Sequence, residues 1–193
     1  MRKQIFTPHK PGRYTKKAPY WRGERAEKIV RKRVLLSHIK GKKKLRVAFT
    51  GTQRGTTGRQ RRELKRRINR LIDLYGADHL VFAHGGCTGG DYEFHMDAMR
   101  AGGIFFDIWP STNTKKDRSK MIKQRSLIKR LPPPVVKMHR PKPPLERNED
   151  IIAGAFQLLA CPKEKREVTR SGTWHTVRLA RKAGRVSIRI IKP

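Results

Sequence analysis

From Leu45 to the end of the chain, short apolar runs alternate with helical segments, and this alternation most narrows the choice of fold. The runs LRVAFTG, HLVFAHGG, IFFDIWP, VVKMH, FQLLACP and VSIRII read as strands, apolar enough to be covered on both faces. Between the first two, TGRQRRELKRRINRLIDLYG sets Leu64, Ile68, Leu71, Ile72 and Tyr75 on one helical face and ends on Gly76 as a C-cap. GGDYEFHMDAMRAGG, ERNEDIIAGA and GTWHTVRLARKAG read as three further helices, and the basic stretch 111–134 shows no clear pattern. The expected fold is α/β: a Rossmann-like, doubly wound, mostly parallel sheet over residues 45–193.

The charge is spread unevenly. The formal net charge of the 193 residues is +33. Residues 1–46 hold 17 Lys/Arg against 2 acids, residues 54–70 hold 8 against 1, and residues 111–147 hold 12 against 2. These blocks carry nearly all the excess, and such a balance attracts polyanions whatever the fold. Residues 1–44 read as a basic extension, disordered alone, in which RAEKIVRKRVLLSHI could form a short helix. Tyr14, Tyr20 and Trp21 are interleaved there with cations and could stack on bases. Arg13, Lys16, Lys17, Arg22, Lys42, Lys43 and Lys44 are the candidate nucleic-acid contacts, made through phosphates with little sequence specificity. An acidic protein surface or a ribonucleoprotein assembly is the competing partner for this tail. The two cysteines, Cys87 and Cys161, are too few for a disulfide framework and fit the cytoplasm or another reducing compartment containing nucleic acid. No apolar run approaches a membrane span, so no membrane partner is expected.

In a parallel sheet, ligands sit beyond the carboxyl ends of the strands, so the residues after each strand matter most. After the first come Gly51, Thr52 and Arg54; after the second, Gly85, Gly86, Gly89 and Asp91; before the penultimate helix, Arg147 and Asn148; before the last helix, Ser171, Gly172 and Thr173. Glycine permits close backbone approach, helix N-termini favour anions, and hydroxyls add donors. Taken singly, Ser171-Gly172-Thr173 is an N-cap and Gly85-Gly86 a tight turn. Their repetition at equivalent strand ends points to a nucleotide- or phosphate-sized ligand. Arg54, Arg59, Arg61 and Arg62 crowd the start of the first helix beside that edge.

The stretches VAFTGT, HGGCTGGDYEFHMDAM, ERNEDIIAGAFQLLACP and RSGTWHTVRLARKAG, in this order, resemble the SLOG superfamily of Rossmann-like domains, which includes the DprA and LOG proteins. The nearest-looking branch is the YspA-like one, and the resemblance covers residues 45–193. It implies a pocket for a nucleotide or nucleotide derivative at the sheet edge, formed by Gly51, Thr52, Gly85, Gly86, Gly89, Asp91, Arg147, Asn148, Gly172 and Thr173. It also implies two alternatives: a DprA-like grip on single-stranded nucleic acid, or a nucleotide N-glycosidase. The LOG motif Pro-Gly-Gly-x-Gly-Thr-x-x-Glu carries its catalytic glutamate where this chain has Thr176, which argues against LOG-type phosphoribohydrolase activity.

No catalytic residue is singled out. Asp91 and Glu93 are the pocket-side acids an N-glycosidase would need, yet both also suit a helix N-terminus. Cys87 could be an activated thiol or a packed one, and Cys161 reads as core. His84, His95 and His175 lack metal-ligand spacing, so no metal is expected. Trp174 could stack on a base or pack into the core. A structural role in a nucleoprotein particle and homo-oligomerisation both stay open.

Overall fold

The computed structural model describes residues 44–103, 105–112 and 135–193. The expected extension over residues 1–43, including the candidate helix RAEKIVRKRVLLSHI, lies outside the described residues, as does 113–134. Six strands form one sheet: β1 (Leu45–Gly51), β2 (Leu80–His84), β3 (Phe105–Ile108), β4 (Val135–Met138), β5 (Ala155–Cys161) and β6 (Ser187–Ile190). Their order is β4-β3-β2-β1-β5-β6, and every pairing is parallel. The chain runs outward from β1 to β4 and then returns to pair β5 with the other side of β1. The β1–β5 seam is therefore the topological switch point, where loops diverge and leave a crevice at the carboxyl edge.

Four helices cover the sheet: α1 (Gly58–Tyr75), α2 (Gly90–Arg100), α3 (Pro144–Ile152) and α4 (Gly172–Ala183). Side chains alternate across β1, and the alternation divides the core. Val47 and Phe49 join Leu64, Ile68 and Leu71 of α1 and Phe94 of α2 on one face. Ala48 joins Ile151 and Ile152 of α3 and Trp174, Val177 and Ala180 of α4 on the other. Trp174 is thus a core residue. Phe94 stacks on Phe49 with ring centroids 4.3 Å apart and meets Phe82 edge-on at 5.8 Å.

The helix ends follow local chemistry. Thr57 and Gln60 form a capping box: the Gln60 N–H donates to Thr57 Oγ1 at 3.2 Å and the Thr57 N–H to Gln60 Oε1 at 3.0 Å. Gln60 Nε2 also donates to the carbonyls of Pro162 and Ile191, both at 2.8 Å, which ties α1 to the ends of the neighbouring strands. Gly76 closes α1 and left-handed Gly184 closes α4. The helix expected from Glu146 begins at Pro144, because proline suits the first helical turn. Arg147 and Asn148 sit inside α3, within the ERNEDIIAGA segment, and not before it as the site pattern expects.

Phe94 is fully buried between two aromatic partners, so Phe94→Ala leaves a cavity with little means of collapse. Chemical denaturation of the variant should show a loss of roughly 3–5 kcal/mol.

Candidate functional site

The carboxyl edge of the β1–β5 seam holds a cavity of about 360 Å³, within the usual range for small-molecule sites. Four loops and helix starts converge on it. The β1–α1 loop contributes Gly51, Thr52 and Arg54; the segment leading into α2 contributes Cys87 and Asp91; α3 contributes Arg147 and Asn148; the N-terminus of α4 contributes Ser171, Gly172 and Thr173. Thus nine of the twelve residues expected at the site from sequence line one cavity. Gly85, Gly86 and Gly89 do not line it.

Those three glycines shape the walls instead. A Cβ on Gly85 would overlap the Arg147 guanidinium, so the glycine makes room for that side chain. Gly89 has φ +77°, and a Cβ there would lie 2.3 Å from the Gln53 carbonyl oxygen. Gly90 and Gly51 meet backbone to backbone, and the Gly90 N–H donates to the Thr52 carbonyl at 2.8 Å. Glu93 reinforces the contact by accepting from the Thr56 N–H at 2.7 Å and the Thr56 hydroxyl at 2.5 Å. Glu93 is therefore a loop clamp and lies away from the cavity lining. Asp91 Oδ2 accepts from the Cys87 N–H at 3.1 Å and closes the glycine loop.

The cavity's polar groups divide by what they are already bonded to. Arg147 donates from Nη1 to the Trp109 carbonyl at 3.3 Å and from Nη2 to Cys87 Sγ at 3.1 Å, while its buried Nε has no partner. Asn148 and Thr173 are 6% and 7% exposed, and neither side chain has a hydrogen-bond partner among the described residues. Ser171 caps α4 by accepting from the Trp174 N–H at 3.5 Å. Thr176, which stands at the position of the LOG-motif glutamate, is buried; its hydroxyl donates to the Gly172 carbonyl at 3.1 Å and accepts from Thr50 at 3.4 Å. Burial with Glu93 nearby pushes the Cys161 thiol up to about 12, which keeps it protonated and inert.

Sequence reasoning missed Lys163 and Glu164, which also line the cavity. They follow β5 by two and three residues, the place at which a parallel sheet delivers ligand-facing groups. Of the cations expected beside the edge, Arg61 is committed to buried Asp97, at 3.1 and 3.3 Å. Arg54, Arg59 and Arg62 are exposed and form no ion pair among the described residues. Lys44 lies before β1, at the opposite edge of the sheet, against the Phe105 ring. Arg13, Lys16, Lys17, Arg22, Lys42 and Lys43 fall outside the described residues.

Behind the glycine loop lies a buried histidine pair. The Gly86 N–H donates to His84 Nδ1 at 3.0 Å, so the proton of neutral His84 sits on Nε2 and is donated to His95 Nδ1 at 3.0 Å. Among the described residues no three His, Cys, Asp or Glu are grouped to hold a metal, and no helix is long and apolar enough to cross a membrane.

This geometry defines a class: a doubly wound α/β domain of Rossmann-like fold with a cavity at its switch point. Among solved structures it is similar to DNA processing protein A from Streptococcus pneumoniae, with a TM-score of 0.55 and 19% identity over 75% of this chain and 50% of that one. DNA processing protein A from Helicobacter pylori, which binds single-stranded DNA, aligns with a TM-score of 0.52 and 19% identity over 76% of this chain and 65% of that one. A molybdenum cofactor binding protein from Rippkaea orientalis gives 0.53 and 16% over 78% of each chain. The chain spans about half the length of the streptococcal protein. No family model and no curated protein matches its sequence.

Two predictions follow from these contacts. Gly89→Ala forces a strained φ and a clash with Gln53, and should lower unfolding stability by at least about 1–3 kcal/mol in denaturant titrations. Burial holds His95 down at about 4 and His84 well below its usual value. The unfolded chain binds protons near pH 6.5 while the folded pair does not, so stability falls with pH from about 6.5 toward 4. His95 alone should contribute a loss of about 2 kcal/mol between pH 7 and pH 5. Urea titrations at the two pH values measure it, and His95→Gln should flatten the slope.

Proposed function

We propose that the domain over residues 45–193 binds a nucleotide or nucleotide-derived ligand in the switch-point cavity, and that the basic segment 1–44 contacts nucleic acid through phosphates. The observation that carries the first part is the pair Asn148 and Thr173: two polar side chains that line the cavity and have no hydrogen-bond partner among the described residues. Their polar atoms open onto the cavity, where water meets them, and a bound ligand takes the place of that water. Arg147, Arg54 and the α4 N-terminus give that ligand an anionic end. The Rippkaea orientalis protein, similar in fold, binds a cofactor. We place the chain nearest the YspA-like branch of the SLOG superfamily on the strength of its four motifs.

A second reading has the cavity rim itself grip single-stranded nucleic acid. It is favoured by exposed Arg54, Arg59 and Arg62 and by the DNA-binding Helicobacter pylori neighbour.

Thermal unfolding of the full chain at high salt, against a panel of mononucleotides and nucleotide derivatives, tests the first reading. High salt suppresses binding to the tail. A ligand at a hundred times its Kd should add about 2.7 kcal/mol, and Thr173→Val or Arg147→Ala should remove the gain. Stabilisation by no ligand, or stabilisation untouched by either variant, rejects the cavity as the site. Arg147→Ala should leave DNA affinity intact under the first reading and reduce it under the second.

A further inference from the structure

We propose that Glu164 determines the specificity of the cavity by accepting a hydrogen bond from an N–H or O–H group of the bound nucleotide; this rests on the cavity being a nucleotide site. Glu164 lines the cavity just beyond β5, and its carboxylate has no hydrogen-bond or ion-pair partner among the described residues; Oε2 is enclosed, and Oε1 is the oxygen left open to a ligand. The other shielded carboxylates among the described residues are occupied. Asp91 holds the Cys87 N–H, Glu93 holds Thr56, Asp97 holds Arg61 and Asp150 pairs with Lys142. In a chain of net charge +33, with Lys163 and Lys165 on either side, a shielded carboxylate without a cation is conspicuous.

The remaining charged lining is Arg54, Lys163, Arg147 and Asp91, and Asp91 is already engaged by the Cys87 N–H. A bare anion gains nothing from a carboxylate among them, because like charges at a few ångströms repel. A ligand with both a phosphate and a donor group satisfies both sides. A nucleotide offers such donors on its sugar hydroxyls and on its base edge. Hydrogen bonds to a carboxylate are the stronger kind, and a site built around one discriminates against analogues that lack the donor.

The test measures binding of guanosine 5′-monophosphate, its 2′,3′-dideoxy analogue and ribose 5-phosphate to the full chain at high salt, by calorimetry. It uses wild type, Glu164→Gln and Glu164→Ala, with unliganded melting temperatures confirming that both variants fold. The expected result is a loss of roughly 10- to 100-fold in both variants for the probes that carry the recognised donor. A loss for the two guanosine compounds alone assigns the donor to the base; a loss that spares the dideoxy analogue assigns it to the sugar. Variant affinities equal to or above wild type for every probe overturn the proposal and leave the cavity's nucleotide role standing. Wild-type binding abolished by a chelator assigns Glu164 to a divalent cation and also overturns it. A wild type that binds none of the three removes the proposal together with the nucleotide site.

Discussion

The backbone contact between the end of β1 and the start of α2 is the constraint on which the rest of the site depends. Gly51 and Gly90 touch with no side chain between them, and Gly89 packs on the Gln53 carbonyl. The Gly90–Thr52 hydrogen bond and the two Glu93–Thr56 bonds then lock the loop. With this loop fixed, Thr52 and Arg54 face the α3 and α4 termini across the seam. A side chain at any of the three glycines would push the loop outward and open the floor of the cavity.

The switch point turns this local fit into a cavity. Because β1 pairs β2 on one side and β5 on the other, the loops leaving β1 and β5 are carried to opposite faces. The space between them is filled from the sides by α3 and α4. The anion-favouring groups arrive mainly from those two helices: Arg147 and Asn148 from α3, and the Ser171-capped first turn of α4. Glu164 stands out against that cationic lining because it is the one shielded carboxylate that the described protein leaves without a partner.

Much of this was legible in the sequence, for identifiable reasons. Fully apolar strand runs such as LRVAF and FQLLAC are the mark of a parallel sheet, and the rule that ligands lie beyond strand ends located nine lining residues. What failed was finer. Arg147 and Asn148 lie inside their helix, whose start at Pro144 precedes the charged run, and not at its approach. Lys163 and Glu164 give no local signal of a cavity position, because a charged run such as KEKRE after a strand reads as a solvated turn. Gly85, Gly86 and Gly89 were read as ligand contacts because a pattern of glycines does not say which backbone neighbour requires them; only the Cβ positions do. The Glu93 clamp and the His84–His95 pair depend on contacts across the sheet and leave no trace in local spacing.

The glycine loop after β2 resembles a phosphate cradle in sequence, yet two of its amides already have acceptors. Gly86 donates to His84 and Cys87 donates to Asp91. An anion arriving at this loop would have to displace an imidazole or a carboxylate to reach either N–H. The loop thus works as a strut that holds Arg147 in place, and the cavity's attraction for negative charge comes from Arg147 on α3, the α4 N-terminus, Arg54 and Lys163. What the glycines after β2 supply is therefore rigidity behind the cavity wall, while the charge comes from side chains on other segments.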